Sequence, residues 1–287
     1  MEKKRYIKAF NSQADYEAQK DAVMGVPHVV LLEDIDDIIF ESLNETEEDD
    51  IDYSLEFFTL EAINNGEVIF TLGSDVIDNN ELYYSINGGE WQTAKVEGGE
   101  GQDFTIASLS SNDRISFKAN TSLVNGNGGF GTLKIDESFN AYGNIMSLLY
   151  GDDFQGQISL EGRQQPFYKL FKNSMIVSAE NLILPATTLA NSCYQDMFSG
   201  CKLLTTAPQL LATTLASSCY SNMFQGCSNL NKITMLATNI SASGCLYNWV
   251  SGVAQEGTFI KDATMTELKV NNTSGIPSGW TVKNYEK

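Results

Sequence analysis

The stretch from residue 184 to 253 repeats itself every 26 residues, and that interval restricts the architecture more than any other feature of the chain. Leu184, Ala186, Leu189, Cys193, Tyr194, Met197, Phe198, Gly200, Cys201 and Leu204 recur as Leu210, Ala212, Leu215, Cys219, Tyr220, Met223, Phe224, Gly226, Cys227 and Leu230. A worn copy follows with Leu236, Ala242, Cys245, Asn248, Trp249 and Gly252, and a looser one precedes it from Phe167 to Asn181. A fixed period in this range signals a solenoid, in which each unit buries its apolar face only by stacking on its neighbours.

Within a unit, Leu189, Cys193 and Met197 are spaced by four, as are Leu215, Cys219 and Met223. That spacing predicts a short helix with three apolar side chains on one face. Gly200 and Gly226 then supply a residue tolerant of positive φ where the helix stops. Lys202–Thr206 and Leu230–Met235 favour β structure and predict a parallel ladder, one short strand per coil. All five cysteines lie inside the repeat. Their positions follow the coil period and do not resemble zinc-ligand pairs. A column of buried thiols is the expectation. Disulfides within a coil, Cys193–Cys201 or Cys219–Cys227, are the alternative, opposed by the odd count and by cytoplasmic synthesis.

The run Met-Phe-Ser/Gln-Gly-Cys-x-x-Leu at 197–204 and 223–230, with Leu-Pro-Ala-Thr-Thr-Leu leading into it at 184–189, resembles the BspA-like leucine-rich repeats of gut bacteria and their phages. The tail Gly275–Val282 is similar to the ending of such arrays, and the resemblance spans roughly residues 140–282. It implies a solenoid used for surface attachment and protein recognition, with no catalytic residues to carry over.

Residues 1–43 read as a small β-α-β-β module. Lys4–Phe10 alternates as a strand does, and Ser12 with Asp15 three residues on gives a helix start. Tyr16, Lys20 and Val23 continue that helix to Gly25 and Pro27. Val29–Leu32 and Ile35–Phe40 supply two further strands. This opening resembles the short N-terminal modules of virion proteins in crAss-like and other Bacteroides-infecting phages, which implies an attachment or oligomerisation end. Between 33 and 52 stand eleven acids and no base. Clustered carboxylates suit a hard cation, yet the spaced Asp-x-Asp-x-Asp-Gly loop is missing. A solvated, self-repelling linker over 44–52 is the expectation.

Residues 53–140 change to short alternating strands with turn punctuation. Tyr53–Ile63, Asn64-Asn65-Gly66 and Glu67–Leu72 predict one hairpin; Leu82–Ile86, Asn87-Gly88-Gly89 and Glu90–Gln92 predict another. Phe104–Ile106, Arg114–Lys118 and Gly131–Ile135 complete a β-sandwich. The glycine-rich 125–129 reads as a loop tip; without a strand–helix context or a lysine it does not read as a phosphate cradle. Tyr83, Tyr84 and Trp91 offer rings for a sugar, though alternation turns about half of such residues inward. The fold class is therefore mixed α+β and multidomain: an N-terminal module at 1–43, a linker at 44–52, a β-sandwich at 53–140, and a leucine-rich-repeat solenoid of period 26 with a C-terminal cap at 141–287.

Net charge of −19 repels nucleic acid and anionic lipid. No stretch approaches the length of a membrane span, and the start lacks the apolar core of a signal peptide. His28 is the only histidine and is remote in sequence from any candidate nucleophile. Paired carboxylates remain countable, but they concentrate in the linker, a poor place for held geometry. No catalytic, cofactor or metal residue is nominated. The expectation is a non-enzymatic phage virion protein, a head fibre, capsid decoration or tail-associated appendage. It would be made in the host cytoplasm, released by lysis and placed at the virion surface. The N-terminal module would meet a capsid or tail protein, the chain would form a dimer or trimer, and the solenoid would meet a bacterial surface through a glycan or protein ligand. A secreted BspA-like bacterial adhesin is the alternative.

Overall fold

The computed structural model describes residues 52–73, 81–120 and 129–286, and the backbone of 6–10 and 28–32. The chain divides into two compact units, 1–51 and 52–287. In the first, β1 (Tyr6–Phe10) pairs in parallel with β2 (His28–Leu32), in register from Tyr6↔His28 to Phe10↔Leu32. A parallel pair needs a crossover of a dozen or more residues, and residues 11–27 provide the length. The helix expected from Ser12 and the strand expected at Ile35–Phe40 lie outside the described residues. So do most of the acidic linker and the glycine-rich tip at 125–128.

The regular structure of the second unit is mostly β with little helix, and its C-terminal part is a solenoid of about four turns; the expected α+β class is corrected to a β-rich one. Its only α-helix among the described residues is α1 (Ser147–Tyr150). The sandwich strands are β3 (Phe58–Ala62), β4 (Gly66–Leu72), β5 (Glu81–Ile86), β6 (Gln92–Lys95), β7 (Asp103–Leu109), β8 (Arg114–Lys118), β9 (Gly131–Ile135) and β10 (Phe139–Asn144). One sheet orders them β10-β3-β8-β5-β6 and the other β7-β4-β9. Period-two alternation turns Phe58, Leu60, Ile115, Phe117 and Phe139 inward from the first sheet, against Val68, Phe70, Leu133 and Ile135 from the second.

The predicted hairpin at Asn87-Gly88 forms. β5 and β6 pair antiparallel, and Asn87 (φ 52°) and Gly88 (φ 69°) adopt the two left-handed conformations a tight type I′ connection requires. The hairpin expected at Asn64-Asn65-Gly66 does not form, because β3 pairs with β8 and β10 while β4 pairs with β7 and β9. Neither asparagine takes a positive φ. Their amides bridge to neighbouring connections instead: Asn64 Nδ2 donates to Ser138 Oγ at 2.8 Å, and Asn65 Oδ1 accepts from the Ser111 N–H at 2.8 Å. The link steps between sheets, so the apolar residues of β3 and β4 face each other across the core.

β10 joins the two halves, and the expected boundary at 140/141 falls inside it. Antiparallel to β3 on one edge, it pairs in parallel on the other with β11 (Ile176–Ser178) and, further along, with β12 (Leu182–Ile183). From β11 the ladder continues in parallel through β13 (Thr206–Leu210), β14 (Lys232–Met235), β15 (Thr258–Lys261) and β16 (Thr281–Asn284). The first repeat strand, expected at Lys202–Thr206, begins where that expectation ends. Pro208 sits within it, at the register irregularity between Thr206 and Gln209, where a residue without an N–H is tolerated.

Where a helix was expected through Leu189, Cys193 and Met197 to Gly200, and again through Leu215, Cys219 and Met223 to Gly226, the chain forms consecutive turns. The N–H groups of Cys193, Gln195, Met197, Ser199 and Cys201 each donate back three residues, at 3.0–3.4 Å. The N–H groups between them, on Ser192, Tyr194, Asp196, Phe198 and Gly200, donate instead to Ser217, Cys219, Ser221, Met223 and Gln225 of the next coil, at 2.7–3.0 Å. Every fourth residue is left-handed: Ser192 (φ 55°), Asp196 (φ 58°) and Gly200 (φ 79°), then Ser218, Asn222 and Gly226, then Gly244, Asn248 and Gly252. Asn, Asp and Gly tolerate that conformation best. The four-residue spacing that mimics a helix is the period of this turn wall.

Both ends of the wall are closed. β9 and the residue before it cover the first coil, the Phe130 N–H donating to the Pro166 carbonyl at 3.0 Å and the Leu133 N–H to the Leu170 carbonyl at 2.9 Å. At the far end, the Val250 N–H donates to the Thr273 carbonyl at 3.1 Å and Trp249 Nε1 to the Gly275 carbonyl at 3.0 Å.

Candidate functional site

Repetition gives the coils two regular surfaces. On the ladder, Ser178, Thr206, Lys232, Thr258 and Thr281 stand in one register column. Lys232 reaches across it to Glu180 at 2.5 Å. At the corner before the turn wall, Thr187 and Thr188, Thr213 and Thr214, and Thr238 and Asn239 are exposed in successive coils. Their backbones are tied, the Thr238 and Asn239 N–H groups both donating to the Thr213 carbonyl. Both surfaces carry mostly short polar side chains, with the Lys232–Glu180 pair on the ladder, repeated coil by coil and suited to many weak contacts with an extended partner.

Behind them the interior is stacked in columns. Phe171, Phe198 and Phe224 follow one another at 5.2 and 5.6 Å, with Trp249 next at 6.2 Å, and Phe167, Tyr194 and Tyr220 at 5.7 and 6.1 Å. The five cysteines are free and buried, as the thiol-column reading expects, with no disulfide in either coil. Cys201 and Cys227 donate to the carbonyls of Phe171 and Phe198 at 2.9 and 3.0 Å. Burial pushes Cys201 up to about 11 and Cys219 up to about 12, and Cys193 and Cys227 well above the ordinary thiol value. Such thiols are protonated near neutrality and make poor nucleophiles.

The sandwich carries a distinct concavity. A cleft of about 350 Å³ is lined by Tyr83, Trp91, Thr93, Lys118, Asn120 and Asp152, together with Ala119 and Gly151. Cross-strand pairing places Tyr83 beside both Thr93 and Lys118. Trp91, just before β6, packs against Phe57 in a T-shaped contact at 4.9 Å. Lys118 Nζ lies 4.4 Å from the centre of the Trp91 ring, 5.8 Å from Phe57 and 6.0 Å from Tyr83. Asp152 receives both bonds from it, at 2.8 and 2.9 Å. At the rim, Tyr83 donates to Glu81, which also pairs with Lys95; the Lys95 bond and then the Tyr83 bond hold the Glu81 carboxyl below its usual range. Gly151 is required here, since a Cβ would stand 2.6 Å from Asn120 Oδ1 and its φ is 55°.

Of the three rings that sequence nominated for a sugar, two reach this cleft. Tyr84 points to the core side of β5 and bonds Gln92 Oε1 at 3.0 Å. Lys118 and Asp152 went unnominated. Alternation along β8 sets Lys118 on the face of Arg114 and Ser116, but only the β5–β8 register brings it to Tyr83, and Asp152 arrives from after α1. His28 lies in β2, with its side chain outside the described residues. Among the described residues no cluster of His, Cys, Asp and Glu could hold a metal ion, and no helix is long and apolar enough to cross a membrane. Comparison with protein-family models, with curated proteins and with solved structures finds no match to this chain.

Proposed function

We propose that the chain is a non-enzymatic structural protein of a phage virion, a head fibre, capsid decoration or tail-associated appendage. Its coils, of the BspA-like leucine-rich-repeat kind, engage a host or environmental surface. One observation carries this reading: a single sheet runs from the sandwich through every coil, so the polar groups of the ladder are carried on one continuous surface. A surface of that kind suits adhesion, where modest contacts are multiplied by copy number. The first unit would hold the particle, through a capsid or tail protein, and copies would assemble as a symmetric dimer or trimer. The net charge of −19 suits display at high local density.

The test is gradient sedimentation of intact particles from an infected culture, probed with antibody to residues 52–287. Co-sedimentation in a fixed ratio to the capsid protein, lost when residues 1–51 are deleted, is the expected outcome. Label confined to the surface of uninfected bacteria would replace this reading with the secreted adhesin.

A further inference from the structure

We propose that the Tyr83–Trp91 cleft binds the carboxylate of an acidic sugar, a uronic acid, with Asp152 acting as a built-in stand-in that the sugar displaces. Three rings flank the Lys118 ammonium and leave its side chain only 15% exposed, a setting in which a carboxylate partner replaces the lost water contacts. That partner is weakly held. The Asp152 side chain is 71% exposed and bonds no group but Lys118 among the described residues. Exchanging one carboxylate for another keeps the charge on Lys118 balanced and needs no rearrangement of the rings.

What surrounds the ammonium selects the rest of the ligand. Tyr83 and Trp91 present ring surface to the C–H face of a pyranose. Thr93, Asn120 and the backbone at Gly151 supply polar groups within the same walls for its hydroxyls. At about 350 Å³ the cleft suits a mono- or disaccharide, at the small end of the roughly 300–1,000 Å³ typical of ligand sites. The chain's negative charge does not close the site to an anion. Glu81 at the rim is paired with Lys95, and charges beyond about 8 Å are screened at physiological salt. This site is independent of whatever the coils engage.

The experiment is calorimetric titration of the full chain with galacturonic acid and trigalacturonate, against galactose and acetate at matched ionic strength. Saturable binding of the uronates is expected, with galactose and acetate at least tenfold weaker, on the order of one lost charged contact. Asp152→Asn removes the internal competitor and should tighten uronate binding about three- to fivefold, the factor a surface ion pair represents. Lys118→Met keeps the stem over the rings and should abolish binding. Should that variant not fold, Asp152→Asn decides alone. Weaker binding in Asp152→Asn, equal binding of galactose, or no saturable uronate binding overturns the proposal.

Discussion

The sandwich and the coils pair their backbones around an apolar interior in opposite ways. In the sandwich each strand meets a different partner, antiparallel, with side chains alternating in and out. In the coils each strand meets its own equivalent one coil on, and the turn wall donates its between-coil hydrogen bonds toward the following coil. The first arrangement is complete once its two faces meet across the core, its sheets ending at the edge strands β6, β7 and β9. The second is not, because every coil hands an unpaired edge to the next. Here the sandwich receives that edge at the start, β10 pairing β11 and β9 bonding the carbonyls of Pro166 and Leu170. The sandwich is thus the first cap of the solenoid.

The largest expected effect comes from removing that cap. Residues 145–287 produced alone should show no cooperative thermal transition by circular dichroism, since β11 and the first turn run lose their partners together. A native-like melt in that fragment would break the comparison, making the coils self-sufficient.

Smaller, but still large, is the loss of one stacked ring. Phe198 is fully buried between Phe171 and Phe224. Phe198→Ala should cost about 3–5 kcal/mol, as truncated core aromatics do. Leu133→Ala in the sandwich should cost about 2–5 kcal/mol by the same mechanism. The two should differ in reach. Hydrogen exchange should accelerate in the coils on both sides of Phe198, because neighbours support one another, whereas the Leu133 variant should leave the coils beyond the second protected. Equal spread would erase the distinction.

The period of 26, the ladder and the buried thiols were legible in sequence because solenoid order is linear: a column of equivalents appears as recurrence at one offset. The turn wall was not, because Leu189, Cys193 and Met197 at four-residue spacing satisfy a helix as well as a run of turns. The discriminating signal lies one position earlier, in Ser192-x-x-x-Asp196-x-x-x-Gly200 and Ser218-x-x-x-Asn222-x-x-x-Gly226, residues that favour a left-handed backbone and weaken a helix. The failed hairpin has a similar cause, since Asn64-Asn65 carries the composition of a tight turn while spending its amides on Ser138 and Ser111. Half of the cleft was visible as rings. Its charged half depends on the pairing of β5 with β8, a relation between residues 35 apart in sequence (Tyr83 and Lys118) that no local pattern encodes.

The thiols sharpen the contrast further, because the sandwich has none. Cys201 and Cys219, raised by burial to about 11 and about 12, stay protonated in the folded chain where an unfolded thiol near about 8.5 has ionised. Their contribution is complete below the unfolded value and is lost as pH rises through the folded ones. Urea unfolding should therefore weaken from about pH 9 upward, by up to about 1.4 kcal/mol per pH unit for each thiol. A Cys201→Ala, Cys219→Ala double variant should flatten that slope. An unchanged slope would mean that other groups carry it.

The smallest effect separates turn wall from helix by sign. Asn222 holds φ at 52°, and its side chain makes no hydrogen bond to the described residues, so substitutions there report mainly on the backbone. In a helix Asn→Ala would stabilise by up to about 0.7 kcal/mol and Asn→Gly would destabilise. On the turn wall the order reverses. Asn222→Ala should cost about 1 kcal/mol, the penalty for placing a Cβ in the left-handed region, while Asn222→Gly should be neutral or stabilising by a few tenths of a kcal/mol. Urea midpoints of the two variants measure the difference directly. If Ala proved the more stable, the residues between 215 and 227 would have to be helical in solution, and the hydrogen bonds from Ser218, Tyr220 and Asn222 into the next coil could not exist as drawn.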